Sequence, residues 1–84
     1  MRVKEMTISN NLSVDDLITF IKTANSFESD ISIKGANFTI DAKSILGVIT
    51  LLMAGMDITI MARGEDEEEA LKVISNLLTP FSAK

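Results

Sequence analysis

Cysteine and histidine, two residue types on which much of protein chemistry depends, are both absent from the chain. Without cysteine there is no disulfide, no thiolate zinc site and no cysteine nucleophile. The absence of cysteine does not indicate whether the protein works in an oxidising or a reducing compartment. Without histidine there is no imidazole to act as general base, to bind a metal ion or to accept a phosphoryl group. These classes of site are therefore excluded.

Proline is scarce, with one residue at position 80, and the longest apolar run is too short to span a bilayer. The N-terminal sequence MRVKEMTISNN alternates polar and apolar residues and has no apolar core of a signal peptide. We therefore expect a cytoplasmic protein with no membrane segment.

The 84 residues are 46% hydrophobic and 24% charged, which predicts a single packed domain spanning 1–84. The net charge of −4 comes largely from the acidic run 65–69. We interpret this run as the first turn of a helix, where carboxylates interact favourably with the helix dipole. The acidic balance argues against nucleic acid as a partner.

The first half of the chain predicts a strand that ends at Ile8, then a helix over 13–26. Ser13 and Asp16 form a Ser-x-x-Asp start signal for that helix. Its apolar residues at helical spacing are Val14, Leu17, Ile18, Ile21 and Ala24. A β-hairpin follows, with alternating strands around a turn over 34–37.

The second half predicts a helix from Ser44 to about Ala54, a strand over 58–62 and a third helix that Pro80 ends. Asp66 and Glu69 repeat the start signal before this third helix. The order β-α-β-β-α-β-α fits an α+β domain with one sheet and its helices on a single face. A ferredoxin-like strand order fits the first six elements equally well.

Catalysis is not expected. The adjacent carboxylates of Asp15 and Asp16, like the run 65–69, lie at helix starts and are better explained as compensation of the helix dipole than as an acid and base pair. The sequence contains no glycine-rich phosphate loop, no metal-ligand spacing and no nucleophile elbow. We expect no enzyme activity, no cofactor and no metal.

The second predicted helix is apolar around most of its circumference, and one sheet face cannot cover all of it. Ile45, Leu46 and Ile49 then form either an exposed stripe for a partner or a surface covered by loops and the end of the chain, with Phe81. Ser44 has the chemistry of the N-cap, and the same free amides would also favour a phosphate.

Three segments resemble the HPr family, the small phosphocarriers of the bacterial sugar phosphotransferase system. The segment Lys43-Ser44-Ile45-Leu46-Gly47-Val48-Ile49 is similar to the family's Lys-Ser-Ile-Met-Gly-Val-Met. The segment 23–27 and the corner 64–67 add to the resemblance. It implies an open-faced β-sandwich with an antiparallel sheet in the order 1-4-2-3 and three helices on one face.

The family's carrier motif, Gly-[Ile/Leu]-His-Ala-Arg-Pro-Ala, falls on residues 11–17 when counted back from Thr23. Ser13 then occupies the position of the carrier histidine, and Asp15 and Asp16 occupy those of the arginine and proline. A serine phosphate ester is a poor phosphoryl donor, and two carboxylates would repel the dianion. The resemblance therefore predicts an HPr-like protein that is not a phosphocarrier.

The resemblance to Crh-type members implies that Ser44 is a phosphoacceptor for an HPr kinase/phosphorylase in carbon catabolite control. Lys43, Ile45, Leu46 and Ile49 match the partner-binding surface, and the implied partner is a transcriptional regulator of the CcpA type. Asp15 weakens that assignment, because Crh keeps there an arginine that helps to engage the regulator. The alternatives are a constitutive interaction or structural module that uses the second helix, and a homodimer formed by strand exchange.

Overall fold

The computed structural model describes residues 1–9, 12–44 and 56–81. Its elements in chain order are β1 (Arg2–Ile8), α1 (Val14–Asn25), β2 (Asp30–Lys34), β3 (Thr39–Asp41), β4 (Met56–Arg63), α2 (Glu67–Leu78) and a 3₁₀ turn (Thr79–Phe81). The strands, the hairpin and the first and third predicted helices are confirmed. The helix predicted from Ser44 to about Ala54 lies on residues outside the described ranges.

All strand pairs of the sheet are antiparallel, and their order is β1-β4-β2-β3. Ile60 of β4 is opposite Lys4 of β1 and Ile33 of β2, and Ile33 in turn is opposite Ile40 of β3. This is the 1-4-2-3 order that the family resemblance implied, so the ferredoxin-like alternative is excluded.

Among the described residues, the core lies between one face of the sheet and the helices α1 and α2. In β4 the buried residues Ile58, Ile60 and Ala62 alternate with Asp57 and Arg63, which are exposed. The helices complete the same hydrophobic cluster with Phe20, Ala24, Ala70, Ile74 and Leu78. Because strand side chains alternate between the two faces, the odd-numbered residues of β4 lie on the opposite, open face.

The buried face of α1 covers only part of the apolar stripe that the spacing predicted. Ala24 is buried, and Leu17 and Ile21 pack against the core, as expected from that spacing. Phe20 and Ala24 are the buried residues of this helix, whereas Val14 is 71% exposed and Ile18 is 39% exposed. At 100° per residue, Val14 and Ile18 lie roughly 90° or more around the helix from the Phe20 and Ala24 line. The prediction was wrong for these two positions because apolar spacing does not show which part of a broad stripe meets the sheet.

The end of β1 lies beside the end of the described chain. The Ser9 N–H, just after β1, donates to the Phe81 carbonyl at 2.8 Å. α2 ends at Leu78, and Pro80 lies in the 3₁₀ turn that follows, as predicted. Across the described ranges, neither helix has the length and apolarity that a membrane crossing requires.

Candidate functional site

Ser44 lies at the end of a turn that directly follows β3. The Ser44 N–H donates to the Asp41 carbonyl at 3.0 Å, and the Lys43 N–H donates to Asp41 Oδ1 at 2.8 Å. Within the same turn, Ala42 is fully buried and its N–H donates to the Ile31 carbonyl at 2.9 Å. The turn is thus anchored in the core, while Ser44 itself is exposed.

Lys43 links this turn to the C-terminal end of α1. Its Nζ donates to the Phe27 carbonyl at 2.8 Å, two residues beyond the helix. Asn25 Nδ2 donates to the Lys43 carbonyl at 3.3 Å and to the Ile21 carbonyl at 2.8 Å. A cation near a helix C-terminus also interacts favourably with the last carbonyls. Lys43 therefore positions Ser44, and its predicted contact with a partner stays a prediction.

Ser13 is the N-cap of α1, with the reciprocal hydrogen bonds of a capping box. Its Oγ accepts from the Asp16 N–H at 3.1 Å and donates to Asp16 Oδ2 at 2.9 Å. The Ser13 N–H donates to the same carboxylate oxygen at 2.9 Å. The predicted start signal is confirmed, and the hydroxyl both donates to and accepts from Asp16. The neighbouring Asp15 is exposed.

Asp66 does not cap α2, contrary to the prediction from its spacing to Glu69. Although Asp66 is the N-cap residue, its side chain makes no capping hydrogen bond to the helix. Its carboxylate instead accepts from the N–H groups of Glu28 and Ser29, both at 2.9 Å, and from the Ser29 hydroxyl. The Gly64 N–H donates to Glu67 Oε1 at 3.0 Å. Sequence reasoning missed this role, because Asp66 looks like its acidic neighbours and its partner Ser29 is 37 residues away.

Contacts of this kind lower the pKa of two carboxyl groups at the start of α2, those of Asp66 and Glu67. The Ser29 hydroxyl, followed by the Glu28 backbone N–H, lowers the pKa of Asp66. The pKa of Glu67 is lowered first by the Gly64 backbone N–H and then by the amino group of Met1, whose nitrogen is 3.0 Å from Glu67 Oε2. In both cases the donors stabilise the charged form of the carboxylate.

Because the pKa of Asp66 is lower in the folded protein than in the unfolded chain, the stability of the fold depends on pH in the acid range. Its contribution is complete above the pKa in the unfolded chain, near the ordinary value of 3.8, and is lost as the pH falls through the lower folded-state pKa. Asp66→Asn, whose amide offers one acceptor oxygen instead of two, is expected to lower the Tm at neutral pH. The difference from the wild type should narrow below about pH 4. Thermal unfolding followed by circular dichroism from neutral to acid pH measures both effects.

Glu65→Gln is the matched control for that variant, because Glu65 belongs to the same acidic run and is exposed. It removes the same charge without removing the contacts to residues 28 and 29. Equal Tm losses in the two variants would contradict the role assigned to Asp66.

The family of the chain is shown by a match that extends over most of its sequence. A family model described as "PTS HPr component phosphorylation site" matches residues 4–79. The chain belongs to the PTS-HPr family. This HPr-family protein is 33% identical over 72 residues to the HPr-like protein Crh of Bacillus subtilis, covering 84% of this chain and 85% of Crh.

Solved structures agree with this assignment. The HPr-C-His structure from Thermoanaerobacter tengcongensis superposes with a TM-score of 0.86 at 33% identity, covering 94% of this chain and 92% of that one. The Crh structure from Bacillus subtilis, a domain-swapped intertwined dimer, superposes with a TM-score of 0.74 at 30% identity, covering 90% and 88% of the two chains.

The structure describes only part of the predicted partner-binding surface of this HPr-family protein. Lys43 and Ser44 share one anchored turn, and Ser13, Asp15 and Asp16 form the start of α1. Ile45, Leu46 and Ile49 lie outside the described residues. Among those that are described, no three histidine, cysteine, aspartate or glutamate side chains are placed to share a metal ion.

Proposed function

We propose that this HPr-family protein is a cytoplasmic regulatory binding module, not an enzyme and not a histidine phosphocarrier, and that phosphorylation of Ser44 switches its binding. The observation on which the proposal rests is the position of Ser44, exposed at the end of a turn whose backbone is fixed to β2, β3 and α1. A kinase needs an accessible hydroxyl, and a switch needs a modified group at a defined place.

The fixed turn supports a switch that works without refolding. Phosphorylation would add about −1.5 to −2 charge at Ser44 and could form one to three charge-assisted hydrogen bonds with a partner's arginine side chains. The hydrogen bonds of Ala42 and Lys43 depend on backbone groups, the Asp41 carboxylate and the Lys43 ammonium, none of which is modified. The partner would therefore meet the same turn with a new dianion on it.

The environment of Ser13 supports the loss of the carrier reaction. The chain contains no histidine, so no phosphoramidate can form on an imidazole. The Ser13 hydroxyl is hydrogen-bonded to the Asp16 carboxylate, with Asp15 exposed beside it. The Asp16 carboxylate, 2.9 Å from the hydroxyl, would repel a phosphoryl dianion, and a phosphate there would also break the capping box.

The proposed partners follow the resemblance to Crh. The kinase is of the HPr kinase/phosphorylase type, and the regulator is a transcription factor of the CcpA type, with Ile45, Leu46 and Ile49 as further contacts. Asp15 places an acid where Crh has an arginine. We therefore propose a regulator that does not place an acidic side chain opposite Asp15, since like charges would face each other otherwise.

The test is the intact mass of the purified protein after incubation with a Gram-positive HPr kinase/phosphorylase and ATP. The wild type is expected to gain one phosphate, and Ser44→Ala none. Phosphate on both proteins would place the modification elsewhere. No gain on either would leave the constitutive interaction module as the better reading of the chain.

Incubation with phosphoenolpyruvate and enzyme I of the sugar phosphotransferase system tests whether the protein can act as a phosphocarrier. The mass should then stay unchanged, and a stoichiometric gain of phosphate would contradict the argument from Ser13. Native mass spectrometry of the same samples reports the oligomeric state. The homodimer remains part of the proposal because β1 is an edge strand of the sheet and the related Crh is a domain-swapped dimer.

A further inference from the structure

A groove of about 270 Å³ lies between β1 and α2, away from both Ser13 and Ser44. The residues that line it come from the helix-facing positions of β1 and from one flank of α2. They are Arg2, Lys4, Glu68, Leu71, Lys72, Ser75 and Asn76. Glu68, Lys72 and Asn76 are four residues apart in succession, so they lie on one line along the helix.

The net charge of the groove is positive, opposite in sign to the net charge of the whole protein. Three cations and one carboxylate line it, a local excess of positive charge in a chain whose net charge is −4. Glu68 forms an ion pair with Arg2, with 3.3 Å between Glu68 Oε2 and Arg2 Nη2. Within the described ranges, Lys4 and Lys72 have no ion-pair partner. Two ammonium groups without an ion-pair partner among the described residues therefore line the groove together with the apolar side chain of Leu71.

β1 borders this groove and, within the part of the chain that the structure describes, is an edge of the sheet, because β4 is its one neighbour in the strand order. The strand has seven residues, and the alternate N–H and C=O groups along its outer side have no partner strand among the described residues. Lysines on an edge strand also discourage such pairing between copies. That explanation covers Lys4 but not Lys72, which lies on α2.

We propose that the free edge of β1 and the cationic groove together bind an acidic, extended segment of a partner protein, which adds to the sheet as a fifth strand. Backbone hydrogen bonds to β1 would supply affinity, and acidic side chains on alternate positions would face Lys4 and Lys72. An anionic membrane or a nucleic acid would use the cations but not the strand edge, which is why a peptide fits the observations better. This site is separate from the switch proposed at Ser44.

The probe is a fluorescein-labelled octapeptide of alternating glutamate and valine, measured by fluorescence anisotropy. The wild type is expected to bind it, and the double variant Lys4→Glu, Lys72→Glu should bind at least about tenfold more weakly. The control is Lys22→Glu, Lys34→Glu, which changes the net charge equally at two exposed lysines outside the groove. Its binding should fall by roughly twofold or less, because screening weakens distant charges. Circular dichroism confirms that both variants are folded.

Two further measurements separate strand addition from simple charge attraction. The same octapeptide with every backbone nitrogen methylated cannot donate backbone hydrogen bonds to β1 and should bind at least about tenfold more weakly. Vesicles containing phosphatidylserine should not sediment the protein. No binding of the octapeptide, equal losses in the two double variants, equal binding of the N-methylated peptide, or binding to vesicles alone would each overturn the proposal.

Discussion

Replacing Phe20 by alanine is expected to lower the free energy of unfolding by about 3 to 5 kcal/mol, the usual cost of deleting a buried aromatic ring. Phe20 is 1% exposed and belongs to the core cluster. It also lines a small cavity of about 80 Å³ against Leu77, Leu78 and Phe81. The space left by the ring would join this cavity, so the loss should fall at the upper end of the range.

Val14→Ala is the control, because Val14 is an apolar residue of the same helix that is 71% exposed. We expect a change within about 0.5 kcal/mol, as for most surface substitutions. Urea unfolding at equilibrium measures both variants. Similar losses for the two would mean that Val14 packs against the core as closely as Phe20 does, and would contradict the burial of Phe20 and the exposure of Val14.

Gly64→Ala is expected to destabilise the protein by about 2 to 4 kcal/mol through backbone strain and overpacking. Gly64 has φ +151°, a conformation that residues with a Cβ rarely adopt. A Cβ there would also lie 2.6 Å from Ser29 Oγ and 2.8 Å from Ser29 Cα. Because the second contact is with the backbone, no side-chain rotation relieves it.

Gly35→Ala is the matched control for that substitution. A Cβ at Gly35 would meet the ring of Phe38, which can move because it is the far end of a side chain, and Gly35 does not have the positive φ of Gly64. We expect a smaller loss for Gly35→Ala in the same urea titration. A loss at Gly64 no greater than that at Gly35 would contradict the role of close packing against Ser29.

Gly64 and Asp66 act on the same neighbour. The absence of a Cβ at Gly64 lets the backbone of Ser29 approach the end of β4. Ser29 is buried there, and the Asp66 carboxylate accepts hydrogen bonds from its N–H and its hydroxyl. A buried hydroxyl or N–H without a partner costs roughly 1 to 3 kcal/mol. This explains why the acid at position 66 is used for a long-range contact and not for the cap of its own helix.

The sequence by itself determined the features that depend on residues close together in the chain. Alternation along β2, β3 and β4 predicted the strands, and the spacing of Ser13 and Asp16 predicted the capping box, because each depends on hydrogen bonds or packing within a few residues. The absence of histidine and cysteine also follows from the sequence alone, and it excludes every site that needs an imidazole or a thiol. The strand order came from family resemblance, since periodicity does not specify which strands pair.

Only the tertiary structure decided the features that join distant segments. It selected Phe20 over Val14 for the core, bound Asp66 to Ser29, linked Lys43 to Phe27 and placed Lys4 and Lys72 beside one groove. Each of these depends on how the helices pack on the sheet, and an exposed acid, lysine or valine has the same local pattern wherever it lies. The physical reason is that short-range patterns encode elements, whereas the packing of those elements decides which side chains meet.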